Sequence, residues 1–81
     1  MIKKIIICTS DIRLEKFIFE NGDMEYYIEG TYIKHREDGP AVERGDHYVD
    51  YYLNGRRCYL NKKRIRTNEE FEKYKKLMIL M

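Results

Sequence analysis

At 81 residues, with 43% hydrophobic and 37% charged side chains, the chain has room for one domain and a small core. That composition excludes a disordered segment, no apolar run approaches the ~18 residues of a membrane span, and the short run in Met1-Ile-Lys-Lys-Ile-Ile-Ile-Cys8 is far from a secretory signal. The net charge of +2 conceals an asymmetry, −4 over residues 1–50 and +6 over residues 51–81. The two cysteines, Cys8 and Cys58, fit a cytoplasmic chain with reduced thiols.

Residues 2–9 are rich in β-branched side chains and read as a first strand. A turn at Ser10-Asp11 leads to a second strand over residues 12–19. Its apolar side chains change parity, Ile12 and Leu14 on one side and Phe17 and Phe19 on the other, which predicts a β-bulge near Glu15 or Lys16. Asn21-Gly22 is a hairpin turn, because both residues tolerate positive φ. The third strand, residues 24–29, opens the motif Glu25-Tyr-Tyr-Ile-Glu-Gly30, which returns 25 residues later as Asp50-Tyr-Tyr-Leu-Asn-Gly55. By alternation Tyr26, Ile28, Tyr51 and Leu53 face the core, and Tyr27 and Tyr52 face outward among charges.

Between the copies, residues 31–34 read as a strand, 37–40 as a turn around Gly39-Pro40, and 41–44 as a short strand. Residues 47–53 form the next strand, Asn54-Gly55 a second hairpin turn, and 56–60 the return strand, with one more turn at 61–63. The end changes character. Thr67-Asn-Glu-Glu70 is a capping box, acids precede lysines as the helix dipole favours, and Phe71, Tyr74, Leu77 and Met78 make one stripe. A helix over about 68–79 follows, laid on one face of the sheet. The fold class is α+β, mostly β: a twisted antiparallel meander of about 5–7 short strands from two ~25-residue units, capped by the C-terminal helix. Within the single domain 1–81, residues 1–20 form a strand pair, 21–66 the meander and 67–81 the helical end.

His35-Arg-Glu-Asp-Gly-Pro-Ala41, followed by Tyr51-Tyr-Leu-Asn-Gly55, resembles a small repeat class related to MORN repeats. The resemblance spans roughly residues 21–76. Chains similar to it are frequent in bacteriophages, bacteria and large viruses. The class implies a twisted antiparallel meander without a common catalytic activity, and contact with a protein or another macromolecule. This chain departs from the pattern at Thr31-Tyr-Ile-Lys34, an insertion before His35, and at Leu60, where another His would stand. The array therefore stops after two units, and the flanking strands and helix act as caps.

His35 and His47 are the residues that could do acid–base chemistry, and with Cys8 and Cys58 they could ligate a metal. No two share a ligand spacing, and the ring of His35 is expected to bind the Asp38-Gly39 turn. The chain thus reads as a non-enzyme with no catalytic residues, no metal, no cofactor and no small-molecule substrate. The reading carried furthest is a non-catalytic interaction protein, phage-encoded or phage-derived, that binds and inhibits a host or defence protein in the cytoplasm. Its contact residues would be Tyr27, Tyr32, Tyr52 and Tyr59, with Met78 and Met81 of the apolar C-terminus, which also offers a homodimer contact. The alternative is RNA binding, possible through Arg56, Arg57, Tyr59, Lys62, Lys63, Arg64 and Arg66, where base and aromatic interleave; such a protein would neutralise an RNA-cutting toxin.

Overall fold

A computed structural model describes residues 2–9 and 11–79 of the chain. Ser10 of the first turn, and Leu80 and Met81 of the apolar tail, lie outside the described residues. The fold is mostly β, an antiparallel five-stranded meander with two small two-stranded sheets and one C-terminal helix. The meander runs β1 (Lys3–Cys8), β2 (Arg13–Ile18), β3 (Met24–Ile28), β4 (Val42–Arg44) and β5 (Tyr48–Asp50), in spatial order β1-β2-β3-β4-β5. Then β6 (Tyr52–Leu53) pairs with β7 (Arg56–Arg57), and β8 (Tyr59–Leu60) with β9 (Lys63–Arg64). The helix α1 spans Asn68–Ile79, the range its caps predict.

The described residues thus form nine strands rather than about 5–7, because two expected strands break at buried residues. The strand expected over 47–53 stops at Tyr51. Asp50 still pairs with Val42 of the meander, whereas Tyr52 pairs with Arg57 of the next sheet. The return strand breaks likewise at Cys58, whose amide donates to the Tyr51 carbonyl at 2.8 Å and whose carbonyl accepts from Ile65 at 3.4 Å. Tyr51, Cys58 and Ile65 therefore lie side by side and, with Phe71 of α1, form one core cluster. Tyr51 and Phe71 rings meet at 4.7 Å, and the Tyr51 hydroxyl donates to Asn68 Oδ1 at 2.7 Å. The helix covers this cluster rather than the five-stranded sheet. Its N-terminus is capped as expected: Thr67 Oγ1 accepts from the Glu70 amide, and the Glu70 carboxylate accepts from the Arg66 amide. That backbone donor holds the Glu70 carboxyl below its ordinary range.

A second cluster, Leu14, Tyr26 and Ala41, lies on the meander with Ile7, Ile12, Ile28 and Tyr52 packed against it, so Tyr52, expected to face outward, is partly buried on this core. No bulge interrupts β2. It pairs one to one with β1 from Cys8↔Arg13 to Lys3↔Ile18, and with β3 from Leu14↔Ile28 to Ile18↔Met24. The parity change in the sequence instead puts Leu14 on the side of Tyr26 and Phe17 on the side of Tyr27, so the sheet is apolar on both faces.

Residues 31–33 turn instead of forming a strand, closed by Thr31, whose hydroxyl donates to the Ile28 carbonyl and accepts from the Ile33 amide. Residues 34–36 then run between the two motif copies. The His35 amide donates to Tyr26, and on the other side Arg36 donates to Tyr52 and Gly55 donates to Lys34. Asn54 (φ 51°) and Gly55 (φ 81°) form the hairpin turn with both φ positive, as their chemistry predicts.

Candidate functional site

The His-Arg-x-Asp-Gly-Pro-Ala heptapeptide holds itself together, but not through the expected contact. It is Arg36, not His35, that binds Asp38 and closes the turn: its Nε meets Asp38 Oδ1 at 2.8 Å and its Nη1 donates to the Pro40 carbonyl at 3.1 Å. The guanidinium also stacks 4.2 Å from the centroid of the buried Tyr26 ring. Gly39 lets the guanidinium come this close: a Cβ there would stand 2.9 Å from the guanidinium carbon, and the arginine side chain would have to shift. His35 is buried and serves the other copy, its Nδ1 accepting from the Asn54 amide at 2.9 Å. Its Nε2 lies 3.3 Å from Glu37. The ring is spent on joining the two units, which leaves it poorly placed to move a substrate proton. Among the described residues no group of three or more His, Cys, Asp or Glu side chains could hold a metal ion. Cys8 is exposed and Cys58 buried, both as free thiols, and burial pushes the Cys58 thiol up.

The acid that opens each motif copy meets a tyrosine hydroxyl and an arginine, the tyrosine following it in the first copy and preceding it in the second. Glu25 accepts from the Tyr27 hydroxyl at 2.6 Å and lies 3.5 Å from Arg44. Asp50 accepts from the Tyr48 hydroxyl at 3.0 Å and pairs with Arg57 Nε at 2.9 Å. Asp50 is almost wholly buried, and its Oδ1 has no hydrogen-bond partner among the described residues. Since Glu25 opposes Val42 and Val42 opposes Asp50, both acids stand on one face, that of Tyr27.

On this face the outward tyrosines of the two copies share a cation. Lys34 Nζ lies 5.3 Å from the Tyr27 ring centroid and 5.6 Å from that of Tyr52. Arg57 continues the row, donating to the Tyr52 hydroxyl at 3.2 Å, with Tyr59 as a further side-chain partner. Tyr59 opposes Arg64, whose guanidinium lies 4.5 Å from the Tyr48 ring centroid. At the other end Phe17 meets Tyr27 edge to face at 5.7 Å. Beyond it an open groove of about 520 Å³ is lined by Ile2, Phe17, Phe19, Tyr27 and Tyr32, with Glu15 and Glu25 at its side. Burial first, then the Glu25 carboxylate, pushes the Tyr27 hydroxyl up to about 12.

Of the proposed protein-contact residues, Tyr27, Tyr32, Tyr52 and Tyr59 fall on or beside this row, with Tyr32 98% exposed. Met78 does not join them: it is half exposed on α1, which covers the Tyr51 side of the strand while Tyr52 points away. Met81 lies outside the described residues. The basic segment divides. Arg57 and Arg64 share the face of Tyr59, while Arg56 and Lys63 oppose Leu53 and Leu60, which pack on the helix-covered cluster. Lys62 sits in the turn at φ 65° and Arg66 just before the helix cap. Sequence reasoning did not find Phe17, Phe19, Lys34, Tyr48 or Asp50. The parity of Phe17 and Phe19 was the available signal, and a bulge is the wrong explanation of it. No family model matches the chain, and comparison with curated proteins and with solved structures finds no match.

Proposed function

We propose that this chain is a small non-catalytic interaction protein of the MORN-like class and that the tyrosine face is where it grips a protein partner. One observation carries the reading. Tyr27, Lys34, Tyr52 and Arg57 form a continuous aromatic–cation row beside a groove of further aromatic residues, on the side away from the helix. Tyrosine and arginine held in fixed geometry give large contact area at low entropic cost, as at the centres of protein interfaces. The face carries Glu15 and Glu25 at its groove end and Arg57 and Arg64 at the other. A partner bearing both signs of charge fits it better than a polyanion. With the resemblance, this extends to a phage-type modulator that inhibits a host or defence protein in the cytoplasm.

Affinity capture from host cells, with and without ribonuclease, tests the proposal. Retention of one protein should survive nuclease and be lost in the double variant Tyr32→Ala/Tyr59→Ala, both exposed positions whose loss spares the core. A partner held equally by that variant would move the contact elsewhere. A second reading, RNA binding, rests on Tyr59 flanked by Arg57 and Arg64 on one exposed ribbon. It requires affinity that falls steeply with salt and is abolished by Arg64→Ser. Salt-insensitive or absent RNA binding disposes of it.

A further inference from the structure

The meander ends in an unusual edge. Among the described residues β1 pairs with β2 on one side and has no strand on the other. It is six residues long, without proline or bulge, whereas the opposite edge, β5, has three residues. Ile5 and Ile6 at its middle are 41% and 37% exposed, and Ile2 just before it 57%. A long, regular, apolar edge presents a free row of backbone donors and acceptors, the arrangement that natural sheets normally blunt. Lysine is the usual blunting device, and β1 does carry Lys3 and Lys4. Both sit at its beginning, and Lys4 is turned onto its neighbour Glu15 at 3.3 Å.

We propose that β1 is an interface for a second copy of this chain, joined antiparallel across a two-fold axis into one continuous ten-stranded sheet. Symmetry restricts the register. A two-fold axis perpendicular to the sheet keeps each face on its own side, so opposed residues must share parity. Centring on Lys3 or Lys4 would oppose a lysine to its own copy and is repelled. Centring on Ile5 places Lys3 against Ile7 and Lys4 against Ile6, and centring on Ile6 places Lys4 against Cys8 and Ile5 against Ile7. Either register sets isoleucine against itself at the axis, with no like charges opposed; centring on Ile7 does so too but pairs only Ile6, Ile7 and Cys8 of the strand, half its length. The asymmetric placement of the lysines makes the strand complementary to its own antiparallel copy. Pairing closes the longer edge of both sheets at once, so assembly stops at the dimer.

Light scattering or sedimentation of the full chain at micromolar concentration tests this. The expected mass is twice that of the chain, halved by Ile5→Lys/Ile6→Lys, whose side chains are exposed. In a Cys8→Ser background, mild oxidation should cross-link Ile5→Cys or Ile6→Cys, but not both, and the reactive position reports the register. A monomer throughout the concentration range overturns the proposal. So does a dimer that fails to cross-link at either position, or one that survives the lysine pair but dissociates in Leu77→Ser/Met78→Ser, which would place the contact on the helix.

Discussion

The two motif copies begin from nearly the same residues and end in different surroundings. Tyr26 and Tyr51 are both buried, at 4% and 2% exposure. Tyr51 is sealed by an apolar lid, Phe71 of α1, with Asn68 taking its hydroxyl proton. Tyr26 packs with Leu14 and Ala41 on the meander, and its ring is covered by cations, Arg36 at 4.2 Å and Lys16 at 5.4 Å. The same motif can therefore be closed by hydrophobic packing or by cation–π contact, and the two closures differ in strength. The inward tyrosine of a unit is fixed by the fold, while what seals it depends on which cap stands beside it in the chain. The outward tyrosines share Lys34 between them, though the Tyr27 hydroxyl donates to Glu25 while that of Tyr52 accepts from Arg57.

Stripping each lid should separate the two closures. Phe71→Ala removes a side chain that is 1% exposed and leaves a cavity against Tyr51, Cys58 and Ile65. A loss of about 3–5 kcal/mol is expected by chemical denaturation, most of the stability of a domain this small. Arg36→Ala strips the first lid at a cost of about 1 kcal/mol, since the arginine is 21% exposed and its ion partners reach water. Equal losses for the two variants would mean that the cation lid seals as well as the helix does. The link between the copies comes next. His35→Ala should cost about 1–2 kcal/mol, and hydrogen exchange should show the Asn54 amide losing protection while the Glu70 cap amide keeps it. If Asn54 stays protected, the neighbouring Gly55 to Lys34 bond holds that turn without the imidazole.

The sequence was most legible where one local rule decides the outcome. The Thr67–Glu70 capping box and the Phe71/Tyr74 stripe set the helix bounds, and Asn54-Gly55 set its turn, because these depend on residues within one turn of each other. The inward choice of Tyr26 and Tyr51 followed from strand parity. It failed at β2 because parity was read with one buried face in mind, whereas the changed parity of Phe17 and Phe19 marks a second apolar face. The expected contact of the His35 ring with the Asp38-Gly39 turn failed for another reason: its acceptor role depends on an amide 19 residues ahead. The shared cation Lys34 lies in the segment by which this chain departs from the repeat pattern. The insertion that spoils the resemblance thus supplies the residue that joins the two outward tyrosines.

The smallest expected effect concerns those outward tyrosines. Tyr27 holds its proton to about 12 against an ordinary 10.0, mainly through burial and next through the hydrogen bond to Glu25. The folded state therefore binds that proton more tightly than the unfolded chain. This contribution to stability is complete below pH 10.0 and is lost as pH rises from there through about 12. Glu25→Gln removes the carboxylate but leaves the burial. The phenolate transition, isolated by subtracting a Tyr27→Phe titration followed by ultraviolet absorbance, should drop below that of the parent and remain above 10.0. A drop all the way to the ordinary value would show that the ring is open to water and that the acid alone protects it. An unchanged value would show that Glu25 contributes nothing to holding the outward Tyr27 hydroxyl, and that the two copies differ less there than Glu25 binding Tyr27 and Asp50 binding Tyr48 suggest.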